Sequence, residues 1–252
     1  MFDANGGSIL TVSDVSVHFG GLLALDRVTF NVARGSRHGI LGPNGAGKTT
    51  LFNVITGFVS TQAGIVRLNR NDISALSPHR RARLGLVRTF QITTLFKDLT
   101  VLENALLGAL VRLGHHRNAL RAARDDSQAI ALAYEQLEQL HLDHLADMPV
   151  QQVSYGEQRQ LEIAVSLALD PQVLLLDEPT AGLSHAETHA VIDLIRNLPQ
   201  SLTVVIIEHD LEVVFQLADH LTVLHYGRRI ADGLTQEVRE DPVVREVYLG
   251  TD

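Results

Sequence analysis

Gly42, Gly47, Lys48 and Thr49 stand in the spacing G-x-x-x-x-G-K-[ST]. Residues of these types at this spacing can hold a polyphosphate. Gly42, Gly45 and Gly47 let the backbone curl so that successive N–H groups face one anion. A helix opening after Gly47 aims the positive end of its dipole at the same point. Lys48 supplies a point charge for β- and γ-phosphates, and the Thr49 hydroxyl is a ligand for Mg²⁺. Pro43, Asn44, Ala46 and Thr50 complete the segment that would wrap the phosphates.

A second group is Val173-Leu174-Leu175-Leu176-Asp177-Glu178, four apolar residues ending in two carboxylates. A buried strand would place Asp177 at its C-terminal edge, where α/β sheets bind ligands. There Asp177 can hold Mg²⁺ through water, and Glu178 can act as base or orienter for an attacking water. Ser154 and Glu157 fit the S-x-x-E capping box of a helix start. With Gly156 between them, the same turn is equally an anion site. His209 ends the apolar run Ile206-Ile207 beside Glu208. A lone histidine is more often structural, but the end of a parallel strand is a place for function.

These residues need elements to hold them. Residues 39–41 form a short apolar run into the loop, and Leu51, Val54 and Ile55 follow at helical spacing. This strand, loop and helix are the context that a phosphate-binding loop requires. Upstream, residues 9–17 and 28–32 alternate as strands, and His18 to Gly21 form a break. Residues 64–69 and 86–90 also read as strands, with a short basic helix from Pro78 between them. From residue 99 to 148 the pattern is helical, with Leu102, Ala105, Leu106 and Ala109, then Leu120, Ala123, Ile130, Ala133, Leu137 and Leu140. Its basic part holds His115 and His116, whose adjacent side chains would point to different sides of a helix, so a solvated face is expected rather than a metal pair. Helix and strand alternate again from Gln158: helix at 161–169 and 187–198, strand at 203–207, helix at 211–217. Two strands close around Tyr226-Gly227, and a helical tail is interrupted at Pro242. The fold class expected is α/β, with a parallel-sheet core and an inserted α-helical stretch.

Composition narrows the classes. At 252 residues with 45% hydrophobic content and a formal net charge of -8, the chain has material for a full core and no long basic tract for nucleic acid. There is no Cys, hence no disulfide framework or thiolate metal site. No run approaches ~18 consecutive apolar residues, and the N-terminus does not read as a secretory signal.

Taken together the motifs resemble the ATP-binding subunit of an ABC transporter over nearly the whole length. Five occur in the family's order: the phosphate loop at 42–49, the Q-loop glutamine Gln91, the signature at 153–157, the Asp177-Glu178 strand, and the switch histidine His209. The resemblance implies a P-loop NTPase (RecA-like) core with N-terminal antiparallel strands. It implies one ABC ATPase domain, with an ATP-binding core at 1–91 and 158–233, a helical subdomain at 92–157 and a tail at 234–252. It implies an ATPase using ATP and Mg²⁺, with Glu178, His209 and Gln91 in catalysis, Thr49, Gln91 and Asp177 at the metal, and Phe19 stacked on adenine. Two subunits would sandwich two ATP molecules, so that Ser154 and Gly156 of one face the phosphate held by Lys48 of the other. The dimer would be with itself or with a paralogous subunit. Ala181-Gly182-Leu183-Ser184 matches the D-loop at that interface.

Two departures from the common motifs are Val-Ser-Tyr-Gly-Glu for Leu-Ser-Gly-Gly-Gln, and Gly-Leu-Ser for Ala-Leu-Asp. Both, with Arg88-Thr-Phe-Gln91 and the Tyr248-Leu-Gly250 ending, are similar to the branched-chain amino acid importer subfamily. That resemblance implies permease subunits as partners, a periplasmic or extracellular solute-binding protein acting indirectly, no nucleic acid, and a peripheral place on the cytoplasmic face of the cell membrane. Alternatives are the ATPase of an exporter or lipopolysaccharide-extraction system, and a soluble ABC protein. Soluble members usually carry two nucleotide units or a long coiled coil, and this chain has neither.

Overall fold

A computed structural model describes residues 7–89, 95–115 and 126–249, apart from the side chain of 249. In chain order the elements are β1 Ser8–Phe19, β2 Leu22–Ala33, β3 Arg37–Leu41, α1 Lys48–Thr56, β4 Ala63–Leu68, β5 Asn71–Asp72, α2 Pro78–Arg83 and β6 Leu86–Arg88. Then follow α3 Val101–Leu113, α4 Ser127–Gln139, α5 Tyr155–Leu167, β7 Val173–Asp177, α6 His185–Asn197, β8 Thr203–Ile207, α7 Leu211–Leu217, β9 His220–His225, β10 Arg228–Leu234, α8 Thr235–Glu240 and α9 Pro242–Leu249. They fall into two compact units. One comprises Met1–Leu86, Gln172–Glu178 and Leu198–Asp252, and the other Val87–Pro171 and Pro179–Asn197.

In the first unit β3 runs parallel to β8 on one side and β9 on the other, β7 runs parallel to β8, and β10 closes antiparallel on β9. Every residue of β3, β7 and β8 is buried. That explains why these strands read as apolar runs rather than alternating ones: both faces of the sheet are covered. The strands β2-β1-β4-β5 form a separate antiparallel sheet. Phe30, Phe52, Ile55, Leu175 and Val205 belong to one continuous apolar cluster. A second cluster gathers Leu41 at the end of β3 with Val214, Val238 and Val244, and Tyr248 of the tail packs against it.

The short basic helix α2 is less basic to solvent than its sequence suggests. Arg81 is 2% exposed. Its Nη1 donates to the Val54 and Ile55 carbonyls, each at 2.6 Å, its Nη2 to Ser74 and its Nε to Leu76. Val54 and Ile55 lie in the last turn of α1, whose carbonyls lack helical partners and carry the negative end of the dipole. Arg81 therefore caps the helix that starts at the phosphate loop.

His38 is buried within β3, the strand that leads into the phosphate loop. Its Nε2 lies 2.8 Å from Thr222 Oγ1, which in turn donates to Asp232 at 2.7 Å. Burial, with the neighbouring His220, pushes its pKa down to about 3, against the opposing pull of Asp232. The unfolded chain would take up that proton near 6.5. Between these values the unfolded state binds more protons, so stability is full above 6.5 and falls as pH drops towards 3. His38→Leu is expected to flatten that acid limb, as read by chemical denaturation at stepped pH.

The second unit is helical. Ala105 and Ala109 of α3, Ala129, Ala133 and Leu137 of α4, and Leu161 and Ala164 of α5 are buried. Thr100 and Glu103 form a capping box at the start of α3, and Asp126 caps α4. Leu120, Ala123 and His116 lie outside the described residues, while His115 pairs with Asp126 at 2.7 Å. Among the described residues no helix is long and apolar enough to cross a membrane.

Candidate functional site

The phosphate loop leaves β3 at Leu41 and enters α1 at Lys48. Gly47 has φ +101°, and a Cβ there would meet the Ala24 carbonyl oxygen at 2.8 Å. Only glycine fits both conditions. The loop is tied internally by Ala46 N–H donating to Pro43 C=O at 3.1 Å. Lys48 folds back over it, donating from Nζ to the carbonyls of Gly42 at 2.5 Å and Pro43 at 3.1 Å. Burial holds the Lys48 ammonium below its ordinary pKa, while Glu178, Asp177 and Glu208 pull it back up.

One cavity of about 380 Å³ is lined by Asn44, Gly45, Ala46, Gly47, Lys48, Thr49 and Thr50. Phe19, Leu22, Leu23, Ala24, Glu178, Tyr226 and Gly227 complete its wall. The structure thus brings Phe19, most of the loop and Glu178 to one space. Gly42 and Pro43 take part through Lys48. Asp177 is buried at the end of β7, beside Ile207 in register. Glu178 follows with φ +47°, and its N–H donates to Ile207 C=O at 2.9 Å. A non-glycine residue held in the left-handed region is strained, and such strain gathers at functional positions. His209 Nδ1 lies 3.8 Å from the Glu178 carboxylate and 3.9 Å from that of Glu208. Gln91 lies outside the described residues.

Among the described residues no group of three or more His, Cys, Asp or Glu could hold a metal by itself. Mg²⁺ is ordinarily held by one or two carboxylates together with substrate phosphates and water. The hydroxyl of Thr49 and the carboxylate of Asp177 are hard oxygen donors of the right class for that arrangement.

Ser154 and Gly156 are in the helical unit. Ser154 Oγ accepts from Glu157 N–H at 3.2 Å, and the Glu157 carboxylate accepts from Ser154 N–H at 2.8 Å. The charge that departs from the usual signature glutamine is therefore folded back into a capping box. The cap uses an acceptor site of the Ser154 hydroxyl and leaves its proton able to donate to an anion. Gly156 N–H donates to Glu187 Oε1 at 3.1 Å, and a Cβ on Gly156 would lie 2.8 Å from Glu187 Cγ. Glu187 also accepts from Ser184 N–H at 2.9 Å and Ser184 Oγ at 2.7 Å. These donors, the Ser184 hydroxyl first, hold its carboxyl below the usual range. Glu187 thus ties the D-loop segment to the start of α5, a role the sequence reading missed. The signal was there: Ser184 and Glu187 repeat the S-x-x-E spacing of Ser154 and Glu157.

The ABC transporter family model matches residues 25–181, and that of the branched-chain amino acid ATP-binding cassette transporter matches residues 228–252. The chain is 39% identical over 251 residues to the high-affinity branched-chain amino acid transport ATP-binding protein BraF of Pseudomonas aeruginosa, covering 96% of this chain and 98% of BraF. The ADP conformation of MJ1267, an ATP-binding cassette of an ABC transporter, superposes with a TM-score of 0.87 at 34% identity, covering 97% of this chain and all of that one. The dimeric post-hydrolysis structure of the cassette MJ0796, bound to ADP and Pi, gives 0.74 at 25% identity, covering 90% and 98%.

Proposed function

Because this chain belongs to the ABC transporter family as an ATP-binding and ATP-hydrolysing subunit, we propose that it drives uptake of a small solute. Branched-chain amino acids are the solutes named for its relatives, and a related amide or acid is the wider class we propose. The observation that carries the ATPase reading is one cavity in which the phosphate loop, Lys48, Thr49 and Glu178 meet, and the coupling to uptake rests on the relatives.

The roles follow from position and chemistry. The loop amides and Lys48 hold the β- and γ-phosphates, exchanging the Lys48 contacts to Gly42 and Pro43 for phosphate oxygens. Phe19 packs on the base. Glu178 accepts the proton of the attacking water, and His209 orients its carboxylate from 3.8 Å away. Thr49, Asp177 and Gln91 are the proposed Mg²⁺ ligands. The bound ion would neutralise charge developing on the phosphates. Ser154 Oγ–H faces the γ-phosphate of a second subunit, identical or paralogous, and Gly156 N–H joins it by exchanging Glu187 Oε1 for a phosphate oxygen. The chain works beneath permease subunits on the cytoplasmic membrane face, fed indirectly by a solute-binding protein. The proposed functional division is a core at 1–91 and 158–233, a helical subdomain at 92–157 and a tail at 234–252; the compact helical unit differs from it in also taking in residues 87–91, 158–171 and 179–197.

A mixture of two inactive variants tests the shared site. Ser154→Arg fills the phosphate position by bulk and leaves the loop intact. Lys48→Ala removes the cation and leaves the signature intact. In a mixed dimer one composite site receives both lesions and the other receives neither. ATPase activity measured with the membrane partner is expected to recover on mixing. Mixed dimers that form without any recovery would count against the shared site or show that both sites must be intact for turnover.

A further inference from the structure

The cavity wall contains a second aromatic residue that no motif accounts for. Tyr226 is 80% exposed, more than Phe19 at 50%. It occupies the first central position of the two-residue turn that joins β9 to β10, where His225 pairs with Arg228. Tyr226 has φ +45° and Gly227 φ +74°. A turn with both central residues at positive φ prefers Asn, Asp or Gly at its first position. A tyrosine there is strained and leaves its ring in water, and neither helps the fold.

The turn is also clamped rather than free. Gly227 N–H donates to the Ala46 carbonyl of the phosphate loop at 3.0 Å, and Gly227 C=O accepts from Asp26 N–H at 2.8 Å. Arg228 Nε donates to the Asp26 carboxylate at 2.8 Å. The His225 and Tyr226 ring centroids lie 4.2 Å apart, tilted by 43°. The turn therefore holds an aromatic ring at a defined place in the wall of the cavity that contains the phosphate loop.

We propose that Tyr226 contacts the nucleoside portion of bound ATP, so that the base site has two aromatic members, Tyr226 and Phe19. This rests on the reading of the cavity as the ATP site. An exposed ring at a strained position is then explained by what covers it: a purine offers a flat π-face, and stacking on such a face tolerates a rim position.

The test is Tyr226→Asn in the purified full chain, with Tyr226→Phe as its companion. Calorimetric titration with Mg·ATP and with magnesium tripolyphosphate separates the nucleoside from the phosphates. Tyr226→Asn is expected to weaken Mg·ATP binding about five- to a hundredfold, the worth of one aromatic–base stack. Tripolyphosphate binding should be unchanged, and the melting temperature without nucleotide unchanged or higher, because Asn suits the turn. Tyr226→Phe should bind Mg·ATP like the unaltered chain. Unchanged Mg·ATP binding by Tyr226→Asn overturns the proposal. So does equal weakening for both ligands, which would place the effect in the phosphate loop. Failure of the unaltered chain to bind Mg·ATP would remove the ATP reading itself.

Discussion

Lys48→Ala is expected to weaken Mg·ATP binding about tenfold to a hundredfold, the worth of one hydrogen bond to a charged group. Turnover should be abolished, because the same cation is needed when charge develops on the γ-phosphate. Equilibrium titration and phosphate release measure the two effects separately. Near-normal hydrolysis by this variant would remove the loop from the mechanism. Stability carries a second signature. In the free fold burial holds the ammonium below its ordinary pKa of 10.5. Between the lowered value and 10.5 the unfolded chain binds more protons, so stability rises with pH across that window. The rise should shrink in Lys48→Ala.

Glu178→Gln separates chemistry from binding. The amide keeps the shape and cannot take a proton, so hydrolysis is expected to fall roughly 10²–10⁴-fold, the range of a positioned general base. Binding should survive, since Lys48, Thr49 and the loop are untouched. ATP should then accumulate a dimer visible by size exclusion. Normal hydrolysis by Glu178→Gln would pass the water-activating role to His209 or Gln91. The dimer is also the readout for the helical unit, where Gly156 N–H is already engaged by Glu187.

Much of this site is legible without coordinates because its signals are local. A phosphate loop is one turn between two short elements, and β3, β7 and β8 announce themselves as unbroken apolar runs. What is not legible depends on residues far apart in sequence. Alternation marks β2 only from Val28, whereas the strand starts at Leu22. Arg27, at φ +48° with register shifts around it in the β1–β2 ladder, breaks the alternation that marks a strand. Arg81 reads as surface charge because its partners are carbonyls, which sequence does not display. His38 reads as part of a loop approach, and only the pairing of β3 with β9 brings it to Thr222, two residues past its register partner. Glu187 was legible in spacing as the cap of its own helix, while its bond to Gly156 spans 31 residues.

The sheet order has a consequence for how the protein is made. Arg37 of β3 pairs with Val204 of β8, and His38 with His220 of β9. A ribosome must therefore add about 160 residues after the phosphate-loop strand before its first neighbour exists. At roughly 5–20 residues per second that interval is on the order of ten to thirty seconds. Throughout it, Ile40 and Leu41 form part of an apolar strand with two unsatisfied edges, the kind of surface that holdase chaperones recognise and that aggregates in their absence. The phosphate loop is among the first segments to leave the exit tunnel and among the last to take its final shape. A message truncated before β8 yields a polypeptide that contains every loop residue and lacks both strands that pair with β3.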